Sequence, residues 1–212
     1  MTTIYMIRHG QSMGNLERRL LGHTDLPLTE LGHRQAERAA EYLLQFGITR
    51  VYSSDLLRAM QTVEPLARRL SLEVIPERGL REIDAGEWEG LPFTLIKEKW
   101  AEEYRIFRVD LGRSTPPGGE STQHAADRLF ETVSRIADEN PDRRVLVASH
   151  AAVICMVTAR VPGLAPEEVQ RLRLASNASF SVFEYDGEHF HLAEYGNDGY
   201  LGDLRIVPPP RA

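Results

Sequence analysis

The chain is 212 residues long, with 25 Lys and Arg against 31 Asp and Glu and a formal charge of −6. That length suits one domain with an ample core, and 42% apolar with 26% charged residues is the composition of a soluble globular protein. No apolar run reaches the roughly 18 residues of a membrane span, and the acidic balance argues against a nucleic-acid partner, whose affinity would rest on excess cations.

Taken in chain order, Ile4 to Arg8 reads as a short buried strand ending at Gly10. Leu31, Ala36, Ala39, Ala40, Leu43 and Leu44 form a stripe at helical spacing, so a helix is predicted from Thr29 to Phe46. Thr29 is its expected N-cap and Gly47 the residue past its last turn. Val51 to Ser54 is a second strand, followed by a helical pattern from Leu56 to Leu70 that Pro65 should kink or divide. Leu72 to Ile75 is a third strand. Helices are predicted from Pro92 to Val109 and from Ser121 to Asp138, with a loop at Thr115-Pro116-Pro117-Gly118-Gly119 between them. Val145 to Ala148 is a continuously apolar strand and Ala151 begins another helix. Phe180 to Tyr185 and Phe190 to Tyr195 flank Asp186-Gly187 as a hairpin, and Pro208-Pro209-Pro210 begins a loose tail.

Strands alternating with helices predict an α/β fold: a three-layer α/β/α domain whose central sheet is mostly parallel, made mixed by the terminal hairpin. One domain is expected over residues 1–207, with a lid or insertion at about 92–120 and a tail at 208–212. Cys155 is the only cysteine, in an apolar run where a small buried side chain is expected. It allows neither an intramolecular disulfide nor a Cys-rich zinc site. The N-terminus has no signal-peptide pattern, so a cytoplasmic location is expected. Of the 25 cations 23 are Arg, the exceptions being Lys97 and Lys99. Arg suits bidentate recognition of phosphate or carboxylate, although most of these side chains are expected on the surface.

In an open α/β sheet, ligands bind beyond the carboxyl ends of the strands. Two such ends carry histidine: Arg8-His9-Gly10-Gln11-Ser12 follows the first strand, and Ser149-His150 follows the strand at 145–148. A third end leads through Ser53-Ser54-Asp55 to Arg58 at the start of a helix. These blocks, with Leu80-Arg81-Glu82-Ile83-Asp84-Ala85-Gly86-Glu87-Trp88-Glu89-Gly90, resemble in type and order the histidine phosphatase superfamily, the phosphoglycerate-mutase-like proteins. The Gly22 to Thr29 loop and Pro117-Gly118-Gly119-Glu120-Ser121 fit the same pattern.

The resemblance implies an enzyme of the phosphatase branch, a hydrolase working through phosphohistidine. His9 would be the nucleophile that takes the phosphoryl group, Arg8, Arg58 and His150 would hold its oxygens, and Glu82 would protonate the leaving alkoxide. A carboxylate beside bound phosphate has a raised pKa, which suits that task. Asn15 either adds a neutral donor at the pocket rim or caps the turn after the first strand. Ser12 and His23 are further candidates for substrate contact, with loop packing the other role open to His23. Glu82 lies among Asp84, Glu87 and Glu89, any of which could be a plain surface charge. His33, His124, His189 and His191 have no motif support and are expected on the surface or sheet.

No metal or other cofactor is expected, because the arginines and histidines supply positive charge. A metal site built from His9, His150 and Glu82 would have to tolerate Arg8 and Arg58. The expected partner is a small phosphorylated metabolite: a sugar phosphate, phosphoglycerate derivative, phosphoserine, ribazole phosphate or nucleotide. A homodimer is possible. Two other functions stay open, a cofactor-dependent phosphoglycerate mutase and a catalytically silent phosphate-binding domain. Against the mutase, residues 93–120 hold Arg105, Arg108 and Arg113 with Lys97 and Lys99 but no adjacent Arg pair. Phe93, Trp100, Tyr104 and Phe107 are candidate pocket walls, although aromatic residues at helical spacing are more often packing than ligand contacts. Two departures from the family pattern stand out. Ala151-Ala152 replaces a common Gly after the second histidine, where positive φ would disfavour Ala. Tyr200 stands where His is often found, in a segment expected near the pocket mouth.

Overall fold

The computed structural model describes residues 1–161, 172 and 175–206. Among them lie six strands, β1 (Thr2–Arg8), β2 (Arg50–Ser53), β3 (Val74–Pro76), β4 (Arg144–Ser149), β5 (Phe180–Tyr185) and β6 (Phe190–Asn197), in one sheet of order β3-β2-β4-β1-β5-β6. The pairs β3–β2, β2–β4 and β4–β1 are parallel; β1–β5 and β5–β6 are antiparallel, so the predicted hairpin forms one edge.

The helices are α1 (Met13–Leu16), α2 (Glu30–Leu43), α3 (Leu57–Leu70), α4 (Phe93–Lys99), α5 (Ala101–Val109), α6 (Thr122–Glu139) and α7 (Ala151–Arg160). Successive side chains of a strand point to opposite faces, and here both faces are covered. Ile4, Met6, Val145 and Val147 pack with Leu129, Val133, Ile136, Val153 and Val157 of α6 and α7. Tyr5, Ile7, Leu146 and Ala148 pack with Ala39, Ala40 and Leu43 of α2 and Val63, Leu66 and Ala67 of α3. Continuous apolar runs in β1 and β4 therefore serve two cores, each fully buried Ile or Leu adding roughly 1.5–3 kcal/mol. The three-layer α/β/α arrangement follows. No helix among the described residues is long and apolar enough to cross a membrane.

The helix ends agree with the sequence. Thr29 Oγ1 accepts from Gly32 N–H at 3.0 Å, and Gly47, at φ 62°, ends the 3-10 turn that follows α2. Two expectations are corrected. Pro65 does not divide α3, which runs unbroken from Leu57 to Leu70. Proline deprives Gln61 of its helical partner, but the packing of α3 on α2 and the sheet outweighs one lost bond. Conversely, the helix predicted from 92 to 109 is two helices. Trp100, at φ −133° and ψ 59°, breaks it, and the break brings Trp100, Tyr104 and Phe107 around the buried Trp88 at ring-centroid distances of 6.5, 6.4 and 5.7 Å. The proline tail, at 208–210, lies outside the described residues.

Candidate active site

The carboxyl ends of β1, β2 and β4 meet at one edge. Parallel pairing sets Arg8 opposite Ser149, and His9 N–H continues the ladder to Ser149 O at 3.1 Å. The next residues along the two strands are therefore neighbours: the His9 and His150 rings lie 5.2 Å apart at 57°. Gly10 makes the turn after His9 possible, since a Cβ there would come within 2.7 Å of Gly32 O.

His9 is 5% exposed and its Nδ1 lies 2.7 Å from Gly10 O. A carbonyl only accepts, so Nδ1 carries the proton and Nε2 keeps its lone pair. Burial, then the charges of Arg58 and Arg8, hold the imidazole well below its usual pKa. His150 is fully buried, and burial, Arg58 and His9 hold it low as well. Its Nε2 lies 2.9 Å from Ser54 Oγ, while Nδ1 is buried without a partner.

Arg8 Nη1 donates to Ala175 O at 2.8 Å, whereas its Nε is buried with no partner. Burial lowers its pKa to about 10, so it stays cationic at neutral pH. Arg58, in the first turn of α3 and 1% exposed, donates to Thr24 O at 3.0 Å and Gly22 O at 2.8 Å. The Glu82 carboxylate sits at the N-terminus of α7, accepting from Ala152 N–H at 3.2 Å and Val153 N–H at 3.3 Å.

Arg8, His9, Arg58 and Glu82 line one cavity of about 340 Å³, together with Ser12 and Asn15. His150 packs beside His9 and is not on the wall. The capping reading of Asn15 is seen directly. Ser12 N-caps α1 and forms a reciprocal capping box with Asn15, whose Oδ1 accepts from Ser12 N–H at 3.1 Å. The same side chain lines the cavity. His23 is off the cavity wall; its Nε2 donates to Glu82 O at 2.9 Å, so it fixes the main chain at Glu82. Phe93 and Phe107 line the cavity, while Trp100 and Tyr104 belong to the cluster around Trp88. His33, His124, His189 and His191 are exposed.

Two further expectations need correcting. Ala151 opens α7 in helical conformation and neither it nor Ala152 has positive φ, so replacing Gly strains nothing; Ala152 supplies an N–H to Glu82 instead. Tyr200 does not line the cavity. It stacks on Tyr42 at 4.7 Å, and its hydroxyl donates to Ala178 O, a buried residue at φ 60°. Burial, with Asp198 nearby, raises its pKa.

Three residues that motif reasoning passed over hold this site. Asn177 lines the cavity, and its Nδ2 donates to His9 O (3.1 Å), Gly10 O (3.3 Å) and Asn15 Oδ1 (2.9 Å). Arg128 of α6 donates to the carbonyls of Gly79, Arg81 and Glu82 and pairs with Glu120 at 2.6 Å. Glu89 accepts four bonds from residues 23, 24 and 85. Asn177 carried a local signal, a polar cluster ahead of the apolar β5, and Glu89 stood in the acidic block as a candidate surface charge; Arg128 carried none. Among the described residues no three His, Cys, Asp or Glu side chains converge as a metal set.

The sequence pattern of the histidine phosphatase superfamily (branch 1) matches residues 4–198. The chain is 34% identical over 210 residues to phosphoglycerate mutase-like protein 4 of Arabidopsis thaliana, covering 96% of this chain and 89% of that protein. It is 35% identical over 189 residues to the probable phosphoglycerate mutase GpmB of Cronobacter sakazakii, covering 87% and 86%. Among solved structures, YhfR of Bacillus stearothermophilus superposes with a TM-score of 0.91 at 28% identity, over 95% of this chain and 100% of that one. A mycobacterial glucosyl-3-phosphoglycerate phosphatase complexed with VO3 does so at 0.85 and 31%, over 92% and 98%. The strand-end histidines, their arginines and the likeness in sequence and fold lead to one conclusion: the chain belongs to branch 1 of the histidine phosphatase superfamily.

Proposed function

We propose that this protein hydrolyses a small phosphomonoester through a phosphohistidine on His9, without a metal. The observation that carries the reading is the meeting on one cavity wall of a buried, neutral His9, its Nε2 unprotonated, with Arg58 and with Arg8, whose buried Nε lacks any protein partner. Buried polar groups are nearly always satisfied; an orphan beside a nucleophile fits a ligand rich in acceptor oxygens.

Nε2 attacks phosphorus as the bond to the leaving oxygen breaks, and Glu82 gives that oxygen its proton. Arg8 and Arg58 stabilise charge on the non-bridging oxygens. Ser54 Oγ accepts from Leu56 N–H at 3.4 Å, leaving its own proton for His150 Nε2, so that the proton of the neutral His150 sits on Nδ1 behind His9. Water then attacks the phosphohistidine, the Glu82 carboxylate takes the water's proton, and phosphate leaves with His9 restored. A bare phosphate fills a small part of a 340 Å³ cavity; the remainder, walled in part by Leu20, Phe93 and Phe107, receives the alcohol.

A phosphomonoester panel assayed for phosphate release tests the reading: His9→Ala should lose roughly 10⁴-fold or more in turnover, and EDTA should change nothing. Full activity of His9→Ala, or loss in EDTA, would overturn it. The relatives named as mutases support a second reading. Conversion of 3-phosphoglycerate to 2-phosphoglycerate with trace 2,3-bisphosphoglycerate, without free phosphate, would establish that one instead.

A further inference from the structure

Arg58 is a buried cation whose guanidinium is held by main-chain carbonyls of the 22–24 loop. Directly behind those carbonyls lies Glu89. One peptide unit joins the two charges: the Gly22 carbonyl accepts from Arg58 Nη2 at 2.8 Å, and the N–H of the same peptide, on His23, donates to Glu89 Oε1 at 2.7 Å. Glu89 Oε2 accepts from Thr24 N–H at 2.7 Å and Thr24 Oγ1 at 2.6 Å, while the Thr24 carbonyl accepts from Arg58 Nη1 at 3.0 Å. The fourth bond runs from Ala85 N–H to Oε1 at 2.9 Å. It ties the loop to the segment that carries Glu82.

We propose that Glu89 is a positioning residue, the counter-ion of Arg58 at one peptide's remove, which orients and polarises the 22–24 loop so that Arg58 is aimed at the phosphoryl site. A carboxylate paired directly with Arg58 would occupy the N–H fork that phosphate oxygens need. Placed behind the peptide, the same charge compensates the buried guanidinium and leaves its remaining donors free. The attraction of Glu82, Asp25 and Glu89 accordingly opposes the loss of charge that burial favours at Arg58. The inference rests on the reading that this cavity binds a phosphoryl group.

The test is a double-mutant cycle with inorganic phosphate as the probe, its binding measured by calorimetry on wild type, Glu89→Gln, Arg58→Ala and the double variant, each checked for fold by circular dichroism. Glu89→Gln should weaken phosphate binding about tenfold when Arg58 is present and about twofold or less when it is absent. A merely structural role gives the same loss in both backgrounds, and that result, or wild-type affinity in Glu89→Gln, overturns the proposal. Should Glu89→Gln not fold, Thr24→Val, which removes only the hydroxyl bond to Glu89, enters the same cycle with a smaller loss that again vanishes without Arg58. Failure of the hydrolase reading looks different: no ester releases phosphate, yet phosphate binding keeps its dependence on Glu89.

Discussion

Acidification below about pH 6.5 should destabilise this fold through two identified protons. In the unfolded chain His9 and His150 take up protons near the ordinary value of 6.5; in the folded protein burial and Arg58 hold both well below it. Above pH 6.5 both states are neutral at these positions and nothing is lost. Below it the unfolded state binds protons that the folded state refuses, so stability falls until the pH reaches the folded values. Within that window each histidine contributes a slope that rises to about 1.4 kcal/mol per pH unit once the unfolded side chain is fully protonated, and the two together to about 2.7. For a chain of this size that is a fall in Tm of about 5–11 °C per unit. Carboxylates add their own acid sensitivity, so the diagnostic quantity is a difference between two proteins. Urea unfolding at pH 6.5, 6.0 and 5.5, in phosphate-free buffer at constant ionic strength, should show His9→Asn losing less stability than wild type by about 1 kcal/mol across that unit, the unfolded histidine being only half protonated at its start. Equal slopes in the two proteins, or an NMR titration of folded His9 near 6.5, would refute the reasoning.

Two other expectations follow from the same geometry. Glu82→Gln should cut kcat on an alkyl phosphate by about 10²–10⁴-fold and much less on 4-nitrophenyl phosphate, whose leaving group needs no proton; equal losses on both would remove the acid role. Tyr200→Phe leaves the buried Ala178 carbonyl without its hydroxyl partner, a loss of about 1–2 kcal/mol and so roughly 2–8 °C in Tm, and an unchanged Tm would show that the bond contributes nothing.

The residues that carry charge or a lone pair into the cavity were legible because each follows a strand or opens a helix in a recognisable block. Arg8, His9, Arg58 and Glu82 reach one cavity, and His150 lies against His9. The residues that aim them were not legible. Arg128 and Glu89 act on main-chain groups of segments 46–49 and 65–66 residues away, and no periodicity or spacing encodes a partner that is a peptide. Asn15 shows the intermediate case, since one side chain both caps α1 and lines the cavity. Trp100 and Pro65 were misjudged for a common reason. Local propensity argued for continuity at one and interruption at the other, and packing on Trp88 and on α2 decided both the other way.

The strand order has a consequence for how the protein is made. β4 lies between β1 and β2 in the sheet, yet it leaves the ribosome after both. Until residues 144–149 arrive, β1 and β2 lack the neighbour they share, and His9 lacks both the carbonyl of Ser149 and the ring of His150. Contacts across so much chain are slow to form. A nascent or truncated chain thus carries Arg8, His9, Arg58 and Glu82 without the strand that brings them together. Only the arrival of β4 completes the sheet's centre and, with it, the edge on which these side chains meet.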